Sequence, residues 1–245
     1  MGSTRLPGKV LADIAGKPML LRIVERVAAA KLIDDIVIAT TTADDDTTLV
    51  HFVEEHTACK VFRGSSANVL DRYYQCARQH EADVIVRVTA DDPFKDPAII
   101  DRAIELRAAV PTVDYCSNTI RPTFPEGLDV EVFSYSALAI SHGEAALSSE
   151  MEHVTPYIYK HPERFSIREF QFERDLSDWR WTVDRNEDLA FANAVYSHFE
   201  DQPLVSYVDI IQWLDLNPGI RELNSNVVRR EGYLKSLRSD QPEPG

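Results

Sequence analysis

Two groups of residues in this chain could act together on a chain of phosphates. One is the turn Gly2-Ser3-Thr4-Arg5-Leu6-Pro7-Gly8-Lys9. Glycines let backbone amides approach an anion closely and form a cradle for it. Arg5 offers planar, bidentate contact to phosphate oxygens, and Lys9 offers a point charge. The turn is not a Walker A loop. Five residues rather than four separate Gly2 from Gly8, and Val10 stands where Ser or Thr is required. A solvated basic terminus has the same composition, so the turn alone leaves both readings open.

The second group is acidic. Thr89-Ala90-Asp91-Asp92-Pro93 follows the apolar run 83–89, the strongest predicted strand. Ligands of open α/β sheets collect at the carboxyl ends of strands. Carboxylates there suit Mg²⁺, which takes a few hard oxygens together with substrate phosphates. An Asx turn before proline would look alike. Asp184 likewise ends the run Trp181-Thr182-Val183 and precedes a predicted helix, where it serves as a cap or as a second ligand. Together, Asp91 and Asp184 make a metal bridge to phosphates the sharper reading. In 126–133, strand alternation puts Asp129 and Glu131 on one face and Val130 and Val132 on the other. Such a pair suits sugar hydroxyls or a metal, and it equally suits a solvent-facing edge. His51 and His56 are five apart and so are not a zinc helix motif, and neither G-x-S-x-G nor G-x-G-x-x-G occurs.

These residues need a scaffold to hold them. Apolar periodicity predicts helices after Pro18 and over 44–56, 68–80 and 96–109, with strands at 36–40, 59–62 and 83–89. Strands alternating with helices through short connections predict a parallel sheet covered on both faces. Beyond residue 113, strands are predicted at 113–116, 128–134, 165–172 and 180–183. Helices are predicted at 136–146, 149–160, 186–199 and 207–216. Residues 1–238 read as a single domain and the polar stretch 239–245 as a disordered tail.

Composition narrows the classes. The chain has 245 residues, 44% apolar and 27% charged, with a formal charge of −14. That is enough apolar content for a full core. The acidic balance argues against nonspecific nucleic-acid binding. No window approaches the ~18 apolar residues of a membrane span. Nor is there a signal-peptide core at the N-terminus. Cys59, Cys76 and Cys116 are three widely spaced thiols, which predicts reduced cysteines and a cytoplasmic protein. Residues 1–31 hold six basic side chains (Arg5, Lys9, Lys17, Arg22, Arg26, Lys31) against Asp13 and Glu25, which suggests a small polyanion bound locally.

In combination, several segments resemble the cytidylyltransferase family of spore-coat polysaccharide biosynthesis, related to the acylneuraminate and 3-deoxy-manno-octulosonate cytidylyltransferases. They are MGSTRLPGKVL (1–11), FRGS with VLDRYY (62–74), VRVTADDPF (86–94), DYCSN (114–118), EGLDVEVFS (126–134), EHVTPYI (152–158) and RWTVDRNEDL (180–189). The resemblance implies a Rossmann-like nucleotide-diphosphosugar transferase fold, α/β with a mostly parallel mixed sheet. It implies a Mg²⁺-dependent transfer from CTP to a sugar or sugar acid, and it is compatible with a homodimer. Gly2, Ser3, Arg5 and Lys9 would hold the triphosphate, with Arg5 and Lys9 catalytic. Asp91 and Asp184 would hold Mg²⁺, Asp71 and Arg72 would lie near the nucleotide, and Asp129 and Glu131 would face the acceptor. The family's apolar strand ending in Gln-Ala-Arg, which precedes the loop, is missing here. Two expectations follow: a start upstream of Met1, or a shortened form with exposed strand edges. A glycosyltransferase using Asp91-Asp92 and a non-catalytic nucleotide-binding protein stand as rival readings.

Overall fold

The computed structural model describes residues 5–227 and 231–240. Gly2 and Ser3 of the phosphate turn therefore lie outside the described residues, as do residues 241–245 of the expected tail.

In chain order the strands are β1 (Asp13–Ile14), β2 (Lys17–Pro18), β3 (Val37–Thr41), β4 (Lys60–Gly64), β5 (Val84–Arg87), β6 (Tyr115–Ser117), β7 (Glu131–Ser134) and β8 (Ile167–Glu169). The helices are α1 (Met19–Ala28), α2 (Thr47–His56), α3 (Val69–Gln79), α4 (Pro97–Ala108), α5 (Tyr135–Glu144), α6 (Ser148–His153), α7 (Pro156–Lys160), α8 (Asn186–His198), α9 (Tyr207–Leu216), α10 (Pro218–Arg221) and α11 (Glu231–Ser239).

The result is the mixed α/β architecture expected, with the sheet in two parts. β3 and β4 form a parallel pair, and a four-stranded sheet runs in the order β5-β7-β6-β8. Antiparallel pairing has a larger share than the periodicity suggests, because β7 runs antiparallel to both β5 and β6. The connection from β6 to β7 has no helix, and a strand returning without a crossover helix pairs antiparallel. β8 is parallel to β6. Val84 at the start of β5 is 40% exposed, and within β3 only Thr40 is buried.

Local chemistry explains the helix starts. Asn68 caps α3 through the Asp71 N–H, Asp96 caps α4 through the Ala98 N–H, and Ser206 caps α9 through the Asp209 N–H. The core lies beneath α1, α4, α8 and α9, where Ile23, Ile100, Trp181, Phe191 and Ile210 are buried together. A second cluster around Tyr115, Phe133 and Leu138 packs under α3 and α5. Cys76 and Cys116 are buried free thiols, and burial pushes each up to about 11, so they act as packing groups.

Two expectations are corrected. The predicted helix 149–160 is two helices, because Val154 adopts φ 73° and Pro156 opens the second. The predicted strand 180–183 is an extended segment with one bridge, Glu126 to Arg180. A small hairpin, β1–β2, turns through Ala15 and Gly16, both at positive φ. At the other end, Ser239 closes α11, and the Asp240 carboxylate accepts the Ser149 N–H at 2.9 Å.

Candidate active site

A cavity of about 360 Å³ opens at the carboxyl end of β5. Arg5, Asp91, Asp129, Glu131 and Asp184 all line it, so residues up to 179 positions apart in sequence meet there. Asp91 is placed by the turn after β5 and Asp184 by the extended segment before α8. The two backbones are tied directly, since the Val183 N–H donates to the Asp91 carbonyl at 2.8 Å. The segment is tied on its other side as well, where the Trp181 N–H donates to the Glu126 carbonyl at 2.7 Å. Alternation then does the sorting. Arg180, Thr182 and Asp184 line the cavity, while Trp181 and Val183 are core residues.

Lys9 joins the two aspartates. It opens a short 3-10 turn after Gly8, which sits in the left-handed region at φ 70°. Its ammonium donates to Asp91 Oδ2 at 3.0 Å and to Asp184 Oδ1 at 2.7 Å. Arg5 reaches the same Asp184 Oδ1 at 3.1 Å. Burial opposes the charge on both Lys9 and Asp91, but their mutual attraction outweighs it. The Lys9 pKa is raised and that of Asp91 is lowered.

Two hard oxygens thus converge on one cationic point. Among the described residues, no group of three or more metal-binding side chains occurs. A pair of aspartates fits Mg²⁺, which keeps waters and takes further ligands from substrate phosphates. Lys9 and Arg5 stand on the oxygen such an ion would use.

Asp92 has a different role from Asp91. It is buried against Lys95 at 2.8 Å and accepts from Thr89 Oγ1 at 2.7 Å. Burial, opposed by Lys95 and reinforced by the neighbouring Asp91 charge, pushes its carboxyl up to about 7.

Glu131 lines the cavity, but both its oxygens are engaged. Arg87 donates to Oε2, while Tyr115 (at 2.7 Å) and Thr155 both donate to Oε1. Its carboxylate therefore holds Arg87 in place instead of facing the cavity unpartnered. Asp129 is half-buried in the same wall, and its carbonyl accepts from Lys95.

Asp71 and Arg72 are not brought to the cavity. The Asp71 carboxylate accepts from Gln75 at 3.1 Å and lies 2.9 Å from His142 Nε2, joining α3 to α5. Arg72 donates to the Ser65 carbonyl at 2.7 Å, beside β4. The basic N-terminal stretch is also partly structural. Arg22 donates to the Ile14 and Ala15 carbonyls, and Arg26, wholly buried, donates to those of Lys95 and Val205.

Sequence reasoning missed Arg180, Glu126, Asp188 and Glu231. Arg180 donates at 2.9 Å to each of Glu126, Asp184 and Asp188. Glu231, at the start of α11, accepts from Arg5 and Arg185, both at 2.8 Å, and thereby ties the C-terminal helix to the phosphate turn. The spacing of Arg180 from Asp184 and Asp188, four and eight residues, was the one readable signal.

Similarity to known proteins extends over most of the chain. The family described as cytidylyltransferase matches residues 1–212. The spore coat polysaccharide biosynthesis protein SpsF of Bacillus subtilis is 34% identical over 224 residues, covering 89% of this chain and 92% of that one. A cytidylyltransferase from Leptospira borgpetersenii superposes with a TM-score of 0.86 at 32% identity, over 93% of this chain and 94% of the other. A CMP:2-keto-3-deoxy-manno-octonic acid synthetase, solved with CTP, shares the fold, with a TM-score of 0.60 at 18% identity over 80% of this chain and 95% of that one. The chain belongs to the cytidylyltransferase family, and its fold is that of the nucleotidyltransferases. No helix among the described residues is long and apolar enough to cross a membrane.

Proposed function

We propose that this protein is a Mg²⁺-dependent cytidylyltransferase that makes a CMP-sugar from CTP and a sugar or sugar acid. The observation that carries this reading is the Lys9 ammonium held between Asp91 and Asp184, two residues of the cavity wall. A hydroxyl oxygen of the acceptor attacks the α-phosphorus. The bond from that phosphorus to the bridging oxygen breaks, pyrophosphate leaves, and the hydroxyl proton passes to solvent. Such transfers depend on positioning and charge neutralisation more than on covalent help from the protein. Arg5 and Lys9 bind the triphosphate and stabilise charge on the departing pyrophosphate. Asp91 and Asp184 would hold the ion, which when bound neutralises charge on the phosphates. Asp129 accepts hydrogen bonds from acceptor hydroxyls. The SpsF relative supports a place in surface polysaccharide synthesis. A sugar acid is the acceptor favoured by analogy with the octonic acid synthetase.

The test is pyrophosphate release from CTP, Mg²⁺ and a panel of sugars and sugar acids. It is run beside nucleoside diphosphate release from nucleotide-sugar donors. Pyrophosphate release that depends on both CTP and an acceptor supports the reading. Diphosphate release without it would make the protein a glycosyltransferase. CTP binding with no turnover would make it a non-catalytic binding protein.

A further inference from the structure

Asp184 is held far more tightly than a metal-binding carboxylate requires. Its Oδ2 accepts from Arg180 Nη2 at 2.9 Å. That guanidinium cannot turn away, because Nη1 is bound to Glu126 Oε2 and Nε to Asp188 Oδ1, each at 2.9 Å. Asp188 is fully buried and Glu126 is 9% exposed at its side chain, so moving Arg180 would strand two buried negative charges. The backbone is pinned too. Asp188 Oδ2 accepts the N–H groups of Asp184 at 3.0 Å and Arg185 at 3.1 Å. Asn224 closes the cluster by donating to Asp188 Oδ1 and to the Arg180 carbonyl, both at 3.0 Å. Oδ1 of Asp184 takes no bond from this cluster, and it is the oxygen on which Lys9 and Arg5 converge.

We propose that Arg180 is a positioning residue that confines Asp184 to one metal-facing oxygen and so gives the site its preference for Mg²⁺ or Mn²⁺ over Ca²⁺. The inference rests on the metal-dependent reading above. Mg²⁺ takes carboxylates one oxygen at a time in a strict octahedron, whereas Ca²⁺ takes six to eight oxygens and favours bidentate carboxylates. An Asp184 whose Oδ2 is engaged by Arg180 meets the first demand and disfavours the second. Lysine cannot replace arginine here, since its single ammonium does not span three carboxylates as a planar fork does.

The test uses the full chain with the uncleavable analogue α,β-methylene-CTP. Bound Mn²⁺ is followed by electron paramagnetic resonance and displaced with Mg²⁺ or Ca²⁺. The wild type is expected to prefer Mg²⁺ over Ca²⁺ by at least ~10-fold. In Arg180→Lys, Mn²⁺ and Mg²⁺ affinity should fall ~10-fold or more while Ca²⁺ affinity holds, so the preference narrows. A wild type that binds both ions equally overturns the proposal without any variant. So does an Arg180→Lys protein, folded by circular dichroism, that loses Mg²⁺ and Ca²⁺ affinity in the same proportion, as a merely structural role would produce. Asp188→Asn serves where Arg180→Lys does not fold, with the same two outcomes. Failure of the wild type to bind Mn²⁺ at all would overturn the metal-dependent reading, and this proposal with it.

Discussion

The Val183 N–H donates to the Asp91 carbonyl oxygen at 2.8 Å, and this one backbone bond registers the two aspartates against each other. Asp91 rides on the turn after β5 and Asp184 on the approach to α8, and this bond, with the Lys9 ammonium between the side chains, fixes their separation. Replacing Asp91 or Asp184 by asparagine leaves that bond intact and removes only charge. Pyrophosphate release from CTP is expected to fall by about 100-fold or more in either variant, with the far-ultraviolet circular dichroism unchanged. Activity within threefold of the wild type in folded Asp91→Asn would count against Asp91 as a ligand.

On the proposed reading, metal binding should depend on the nucleotide through Lys9. Its ammonium already balances Asp91 and Asp184, and Arg5 adds to it, so an ion arriving alone meets a site whose charge is satisfied. A triphosphate offers Lys9 and Arg5 a stronger anion and draws them off. Mn²⁺ titrated into the protein is therefore expected to bind at least ~10-fold more tightly when CTP is present, a coupling of ordinary size. In Lys9→Met, Mn²⁺ affinity without nucleotide should rise while CTP affinity falls. Calorimetry reads both quantities, and an unchanged metal affinity in the variant would mean that Lys9 does not guard the pair.

Legibility in the sequence followed the range of each interaction. Asp91 and Asp184 could be read because strand ends and helix starts are local features, and Lys9 because a glycine turn is one too. Arg180 could not, since its partner Glu126 lies 54 residues away and only the fold brings them together. Asp71 shows the converse. Its helix was readable, but its partner His142 on α5 lies 71 residues away, and Asp71 is not among the residues that line the cavity. The break between α6 and α7 depends on a buried β-branched residue, Val154, at positive φ, which propensity argues against. Pro156 was the only local hint of it.

Glu131 should make stability depend on pH in a defined direction. Burial disfavours its charge, but Arg87, Thr155 and Tyr115 more than compensate and hold its carboxyl below the ordinary 4.5. A carboxyl depressed on folding stabilises above its unfolded pKa, and the contribution fades as pH falls through the folded value. Glu131→Gln leaves Arg87, 16% exposed at its side chain, without its counter-charge, a loss of up to about 3–5 kcal/mol where buried pairs have been broken. The melting temperature of Glu131→Gln is thus expected to lie well below that of the wild type at pH 7. The gap should shrink as pH drops below 4.5, a window set by the ordinary carboxyl value. A gap that stays constant from pH 7 to pH 3 would show that the Glu131 charge contributes nothing.

Gly127 is required by two separate facts. Its φ is 106°, a conformation that side-chain-bearing residues rarely adopt. A Cβ there would also sit 2.9 Å from the Trp181 carbonyl carbon and 3.0 Å from the Thr182 nitrogen, both backbone atoms that cannot swing aside. The close approach is what lets the Trp181 N–H donate to the Glu126 carbonyl and the Glu126 N–H to the Trp179 carbonyl, carrying Arg180 to Glu126. Gly127→Ala must push the two segments apart, at a cost of ~2 kcal/mol or more in strain. For a chain of this size that lowers the melting temperature by roughly 4–8 °C. Because the displaced segment is the one that carries Asp184, pyrophosphate release should fall as well, even below the melting transition. A variant that melts early yet turns over at the wild-type rate at 20 °C would show that the contact supports the fold but does not set the site.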